Sequence, residues 1–152
     1  MEHVTDITRI IQLAVAPVFL LTAIGTILSA LNNRLGRIVD RRRVLEERLR
    51  GATPAGEAPR AEDVQELELL ARRIGLIYHA IVMAVVCALL ICLLVASAFV
   101  GVFVTMDIAR LIGTLFILAM IALISSLWLL LKEIFIAVKV GRHDILVKDI
   151  LR

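Results

Sequence analysis

Three long stretches of this chain contain no aspartate, glutamate, lysine or arginine, and they restrict the folds open to it. The stretches are 10–33, 74–106 and 111–131. A helix needs roughly 20 residues to cross a hydrocarbon core of about 30 Å, and each stretch is long enough. Because 61% of the 152 residues are hydrophobic and 20% are charged, we expect one all-α integral membrane domain with three transmembrane helices.

Positively charged residues are distributed unequally around these stretches. Ten arginines lie between the first two, and five lysines or arginines follow the third, whereas only Arg9 and Arg110 lie on the other side. Loops rich in Lys and Arg stay in the cytoplasm. We therefore expect the N-terminus outside, and both the long loop and the C-terminal tail (132–152) in the cytoplasm.

Two amphipathic arms connect the first two spans. On each arm, apolar residues recur at alternating steps of four and three. The first arm has Leu31, Leu35, Ile38, Leu45 and Leu49, with Arg42 at the position between Ile38 and Leu45 where the pattern requires an apolar residue. The second arm has Val64, Leu67, Ala71, Ile74, Tyr78 and Ile81. This spacing is typical of coiled coils. The glycines and prolines of GATPAGEAPR (51–60) mark a turn. We predict spans at about 10–32, 80–104 and 111–131, with a cytoplasmic antiparallel helical hairpin over about 33–79.

Smaller features complete the predicted architecture. Pro17 lies inside the first span, where it removes a backbone hydrogen bond and predicts a kink. Asp107 and Arg110 predict a tight external turn, and residues 141–144 predict a turn before a short amphipathic tail helix. Cys87 and Cys92 lie inside the second span, where thiols usually act as small packing residues.

Small and polar side chains follow one face of the first span. They are Thr22, Gly25, Thr26, Ser29 and Asn33. Small residues at four-residue spacing let another helix approach closely. Three interpretations remain open: packing against the other two spans, contact with another subunit, or the lining of a pore.

Arginines are concentrated just beyond this span. Arg34, Arg37, Arg41 and Arg48 share a helical face beside the apolar stripe. They either bind anionic lipid or a partner, or line a pore mouth, or act only as solvated anchors of the topology.

Three other ionisable residues are candidates for a polar network near the cytoplasmic boundary. We expect Asp40 to pair with Arg37 or Arg43, and Glu133 to pair with Arg34 or Arg37. His79 is expected to hydrogen-bond a neighbouring helix, at Asn32 or Asn33.

Catalytic and cofactor chemistry finds no support in the sequence. It contains no nucleophile motif, phosphate loop or metal-ligand spacing. We expect neither enzymatic activity nor a cofactor. Nucleic-acid binding is not expected either, since the basic residues are not interleaved with aromatic ones.

Several motifs resemble one known family. The runs Ala16-Pro17-Val18-Phe19-Leu20-Leu21, Asn33-Arg34-Leu35-Gly36-Arg37-Ile38-Val39-Asp40-Arg41 and Leu45-Glu46, with Lys132-Glu133-Ile134 and Ala137, are similar to the small bacterial membrane proteins of domain of unknown function 2721. The likeness covers nearly the whole chain. It implies a bacterial inner-membrane protein with three spans, and it supplies no catalytic residues.

Two functional hypotheses follow. The first is a homo-oligomeric ion-conducting or gated pore, because the polar stripe on the first span is larger than helix packing requires. The second is a scaffold or accessory subunit that presents its hairpin to a protein partner or to anionic lipid. Three helices enclose no sizeable pore, so conduction requires several subunits.

Overall fold

The chain folds into three long α-helices. The computed structural model describes residues 2–51, 61–103 and 109–150, with side chains over 15–51, 64–101 and 109–138. The helices are α1 (Glu2–Gly51), α2 (Ala61–Phe103) and α3 (Ala109–Ile150). No strand occurs in these described ranges, so the predicted all-α class is confirmed.

Each helix contains a stretch that is long and apolar enough to cross a membrane. The helices have 50, 43 and 42 residues, about twice the roughly 20 that a hydrocarbon core needs. Each therefore has turns to spare beyond a span. The prediction of three membrane-capable helices is confirmed.

Helices α1 and α3 continue through two places where the sequence predicted a kink or a turn. Pro17 lies inside α1, where its ring nitrogen donates no hydrogen bond to the carbonyl four residues earlier. The turn predicted over residues 141–144 is wrong, because α3 runs through it to Ile150. A single glycine costs a helix only about 1 kcal/mol, which the helix-forming residues around Gly141 offset. The tail is therefore part of α3 and not a separate helix.

The described residues form two compact units, and every helix contributes to both. The apolar unit comes from Met1–Ala30 and Ile81–Ser126, and the charged unit comes from Leu31–Ala80 and Leu127–Arg152. In the apolar unit, one buried cluster joins the three helices: Ile24, Ala84, Cys87, Ile91, Ala119, Ala122 and Leu123. Alanines and the buried Cys87 let the helices approach closely, as expected for a thiol used in packing.

The charged unit has its own apolar stripe. Leu31, Ile38 and Leu45 of α1 are buried, and Leu35 and Leu49 are half-buried, as the heptad pattern predicts. Seven-residue spacing keeps these side chains on one side of the helix.

The buried positions of α2 are not those of the predicted stripe, of which Leu67, Ile74 and Ile81 are only half-buried. Leu70 and Ile77 are buried, whereas Val64 and Tyr78 are exposed, as is Ala71. Apolar residues occupy both positions of each adjacent pair (70–71 and 77–78), so spacing alone does not choose between them. Burying Leu70 and Ile77 removes more apolar area than burying Ala71, and it leaves the Tyr78 hydroxyl accessible to polar partners.

Some predicted features lie outside the described residues. They are most of the GATPAGEAPR turn, at 52–60, and the external turn up to residue 108.

Candidate functional site

The charged unit contains a glutamate that is almost completely buried. Glu133 of α3 has a side chain only 1% exposed, and both of its carboxylate oxygens are bound by arginines. Oε2 accepts a hydrogen bond from Arg34 Nη1 at 2.7 Å. Oε1 accepts two from Arg73, from Nε at 3.2 Å and from Nη2 at 2.8 Å. One carboxylate therefore joins all three helices.

The electrostatics explain why a carboxylate is tolerated there. A buried charge is costly unless it is paired and hydrogen-bonded, and the two guanidinium groups satisfy both requirements. The cluster carries two positive charges and one negative charge. Its arginines are partly solvated, with side chains 37% exposed at Arg34 and 20% at Arg73. The cluster therefore remains cationic.

Sequence reasoning named Arg34 as a partner of Glu133 and missed Arg73. A signal for Arg73 was present in the charge pattern. Arg34 is the first charged residue after the first charge-free stretch, Arg73 is the last one before the second, and Glu133 lies just beyond the third. Each helix thus contributes a charged residue from the edge of its apolar stretch.

A second ion pair joins α1 to α2 one heptad further along. Arg41 Nε donates to Glu66 Oε1 at 2.8 Å. From Arg34 to Arg41 the chain advances seven residues along α1, and from Arg73 to Glu66 it goes back seven along α2. Contacts that advance on one helix and go back on the other belong to antiparallel neighbours.

The other arginines of α1 differ in their surroundings. Arg42 pairs with Glu46 of its own helix at 2.7 Å. Arg37 is exposed, and its Nε donates to the backbone oxygen of Asn33 at 3.3 Å. This bond turns its guanidinium back toward the apolar stretch of α1. Arg48 is exposed.

Of the three ionisable residues named for a possible polar network, Glu133 pairs with Arg34 as expected. Where side chains are described, Asp40 forms no salt bridge with Arg37 or Arg43. The bond of Arg37 to Asn33 directs its guanidinium away from Asp40, which explains the missing pair.

His79 hydrogen-bonds to its own helix, whereas the sequence suggested a bond to a neighbouring helix. Its Nδ1 lies 2.7 Å from the backbone oxygen of Gly75. A carbonyl only accepts, so Nδ1 carries the proton. The ring is exposed and meets Tyr78 edge-on, with centroids 6.1 Å apart.

Aromatic rings on α2 and α3 lie near the ion-paired cluster in sequence. Tyr78 is 60% exposed and Trp128 is 59% exposed. Lys132 places its Nζ 6.0 Å from the centroid of the Trp128 ring, which is within range of a cation–π interaction. Exposed tyrosine and tryptophan at the ends of apolar stretches are typical of the membrane–water interface.

All five residues of the small polar face of α1 are exposed. This face comprises Thr22, Gly25, Thr26, Ser29 and Asn33. A Cβ added at Gly25 would meet no atom within 4 Å. Within one chain this face is therefore left open, with room for another helix beside Gly25.

Threonine hydroxyls on this face bond to their own helix. Thr26 Oγ1 donates to the Thr22 carbonyl at 3.1 Å, and Thr22 Oγ1 donates to the Val18 carbonyl at 3.5 Å. On α3, Thr114 and Ser125 donate to carbonyls four residues earlier in the same way. Such bonds satisfy a hydroxyl in a medium without water.

Comparison with known proteins identifies the family. The model for "Protein of unknown function (DUF2721)" matches residues 14–143, which is most of the chain. The chain belongs to the DUF2721 family. No curated protein and no solved structure matches it. The resemblance drawn from the sequence motifs is confirmed.

The matched region of this DUF2721 protein contains the ion-paired cluster and the small polar face of α1. Glu133 and both of its arginine partners lie within 14–143, as does the small polar face of α1. The family description names no activity. Any function must therefore be argued from the residues of this DUF2721 protein.

Proposed function

We propose that this protein is a homo-oligomer assembled through the small polar face of α1, and that the assembly conducts ions along its axis. Thr22, Thr26, Ser29 and Asn33 would line the pore, with Arg34 and Arg37 at its inner mouth. Gly25, at the edge of this face, would meet the neighbouring copy. The site would be non-enzymatic. Its parts would be the polar side chains of span one and the charged residues at its end.

The observation that carries this proposal is a difference between the exposed surfaces of the three helices. On α1, large apolar side chains are exposed at Val15, Val18 and Phe19, and then none is exposed from Leu20 to Ile38. Over their apolar stretches, α2 and α3 expose large apolar residues throughout, among them Val85, Leu89, Ile117 and Ile121. Lipid solvates large apolar side chains well. The outer surfaces of α2 and α3 are thus suited to lipid along their apolar stretches, whereas α1 offers lipid no large apolar side chain between Leu20 and Ile38.

Burial within the chain supports the same view. In the most apolar 18-residue window of each helix, 11% of residues are buried in α1, against 28% in α2 and 22% in α3. Helix α1 therefore has the most surface left for another helix. Gly25, with open space around its Cα, lets such a helix approach closely.

A ring of α1 helices from several copies would surround a pore with polar side chains, which one chain cannot do. Three helices enclose no channel, whereas several copies place hydroxyl and amide side chains around one axis. Positive charge at the mouth, from Arg34 and Arg37, would favour anions over cations. The pore hypothesis therefore predicts anion selectivity.

The proposed setting is the bacterial inner membrane, with the N-terminus outside and the charged unit in the cytoplasm. The excess of arginine on one side of the spans supports this orientation. The antiparallel register of Arg41 with Glu66, together with the buried heptad positions of α1, supports a cytoplasmic coiled-coil hairpin.

A scaffold is the second candidate, and one observation favours it. Because Thr22 and Thr26 donate to their own helix, their hydroxyls need neither water nor ions as partners. The face of α1 would then be a dry contact between copies or with another membrane protein. The hairpin would serve as the surface offered to a partner.

Thiol accessibility separates the two candidates. Single cysteines replace Thr22, Thr26 and Ser29 in the full-length protein carrying Cys87→Ala and Cys92→Ala, and membranes are treated with a charged methanethiosulfonate reagent. The pore predicts labelling at all three positions. Leu89→Cys, on the exposed apolar surface of α2, is the protected control, and Arg43→Cys is the accessible one. Protection equal to that of Leu89→Cys would contradict the pore.

A further inference from the structure

Positive charge exceeds negative charge where α1 leaves its apolar stretch. Arg34 and Arg73 share the carboxylate of Glu133, which among the described side chains leaves one positive charge without a counter-charge. Arg37 adds another, since its hydrogen bond is to a backbone oxygen and it forms no salt bridge in the described ranges. An anion bound at this end of α1 would balance both.

The geometry concentrates this charge beside Asn33. On a helix, residues 33, 34 and 37 are neighbours, since positions three and four apart lie on the same face. The hydrogen bond from Arg37 Nε to the Asn33 oxygen brings its guanidinium back by about one turn, to the level of Arg34. Arg34 in turn is held by Glu133 through Nη1. Within the described part of the chain, its Nε and Nη2 have no acceptor.

We propose that Asn33, Arg34 and Arg37 bind the phosphate of an anionic phospholipid headgroup. Arginine donors match phosphate oxygens in geometry and charge, and the Asn33 amide adds a further donor. Glu133 is a positioning residue, because it fixes the Arg34 guanidinium without neutralising the whole cluster. The proposed pore places these same residues at its inner mouth, so a lipid bound to them would support the scaffold, the second candidate function, over the pore.

The position of the site along the chain favours a lipid over a soluble anion. Asn33 is the last residue of the first charge-free stretch, so the site lies where a membrane-spanning helix meets the headgroup layer. Exposed Tyr78 and Trp128, with Lys132 beside the indole, mark the same boundary on the other two helices. Phosphate carried by a lipid is concentrated at this level. Soluble phosphate has the same chemistry, so the test must distinguish the two sources.

The test measures lipid retained by the purified full-length protein. The protein in detergent receives equal amounts of phosphatidylglycerol and phosphatidylcholine, and the lipids that remain bound are counted by native mass spectrometry. The wild type is expected to retain phosphatidylglycerol in preference. Each arginine near a membrane surface contributes roughly a fivefold effect on lipid affinity, so Arg37→Gln is expected to reduce retention about fivefold.

Matched variants make the result specific. Arg43→Gln removes an exposed arginine nine residues beyond Arg34, about 13.5 Å along the helix, and is expected to retain lipid as the wild type does. Arg34→Gln is expected to behave as Arg37→Gln does. If Arg34→Gln does not fold, Arg37→Gln decides alone, because Arg37 is exposed and its hydrogen bond is to the backbone of its own helix.

Several outcomes would overturn the proposal. Equal losses in Arg37→Gln and Arg43→Gln would show diffuse attraction without a site, and equal retention of the two lipids would show no preference for the anionic headgroup. Displacement of phosphatidylglycerol by millimolar inorganic phosphate would identify a soluble anion as the ligand. Retention unchanged by phosphate, together with the loss in Arg37→Gln, supports the lipid site.

Discussion

Glu133 Oε2 of α3 accepts a hydrogen bond from Arg34 Nη1 of α1 at 2.7 Å, across 99 residues of sequence. The same carboxylate binds Arg73 of α2. All three helices therefore meet at one buried anion just beyond their charge-free stretches. A bond of this kind fixes how far each helix is displaced along its axis, which apolar packing alone does not specify.

Replacing Glu133 with glutamine should destabilise the protein. The two arginines would lose their shared counter-charge while remaining partly buried. Removing one partner of a fully buried pair costs about 3–5 kcal/mol; since both arginines are partly solvated, we expect a loss of about 2 kcal/mol in the free energy of unfolding. Thermal unfolding in detergent, followed by Trp128 fluorescence, measures it.

Glu46→Gln is the matched control for that substitution. Glu46 pairs with Arg42 within α1, and both side chains are well exposed. A pair of this kind at i,i+4 spacing contributes roughly 0.3–0.5 kcal/mol. Equal effects of Glu133→Gln and Glu46→Gln would contradict the role given to the buried carboxylate.

The two arginines of the cluster should contribute unequally. Arg73 donates two hydrogen bonds to Glu133 and is 20% exposed, whereas Arg34 donates one and is 37% exposed. Arg73→Gln is therefore expected to lower the unfolding temperature more than Arg34→Gln. The reverse order would show that Arg34 is the main partner of the carboxylate.

The ion pair of Arg41 and Glu66 should couple weakly and depend on salt. Their side chains are 66% and 36% exposed, so the coupling energy from a double-mutant cycle with Arg41→Gln and Glu66→Gln is expected to be about 0.5 kcal/mol. Raising the salt concentration to 1 M should remove most of it, because screening then acts over roughly 3 Å. Coupling that is unchanged by salt would contradict an exposed pair.

Two adjacent residues can test which side of α2 is buried against the other helices. Ile77 is fully buried, whereas Tyr78 is exposed. Ile77→Ala should lower the free energy of unfolding by about 3 kcal/mol, and Tyr78→Ala by about 0.5 kcal/mol. A larger effect at Tyr78 would restore the register expected from the heptad pattern.

The sequence was sufficient for the features that depend on composition and spacing along one helix. Charge-free stretches predicted three membrane-capable helices, and the steps between Leu31 and Leu49 predicted the buried stripe of α1. These signals are local. A single helix must satisfy them whatever it packs against.

The features that the sequence missed depend on which side chains or backbone atoms come together in the folded chain. The second partner of Glu133, Arg73, lies 60 residues away, and no local spacing relates the two. On α2, adjacent apolar residues made two stripes equally regular, and only burial against other helices selected Ile77 over Tyr78. His79 had a polar acceptor in its own helix, at Gly75, which removed the need for a partner on α1.

The most direct test of the central claim, that the small polar face of α1 joins copies of the chain, is the mass of the assembly by native mass spectrometry. Gly25→Leu is compared with Gly113→Leu, since a side chain at either glycine meets open space within one chain. We predict four or more copies for the wild type and for Gly113→Leu, and fewer for Gly25→Leu. A wild-type monomer or dimer, or a Gly25→Leu assembly of unchanged mass, would contradict the claim.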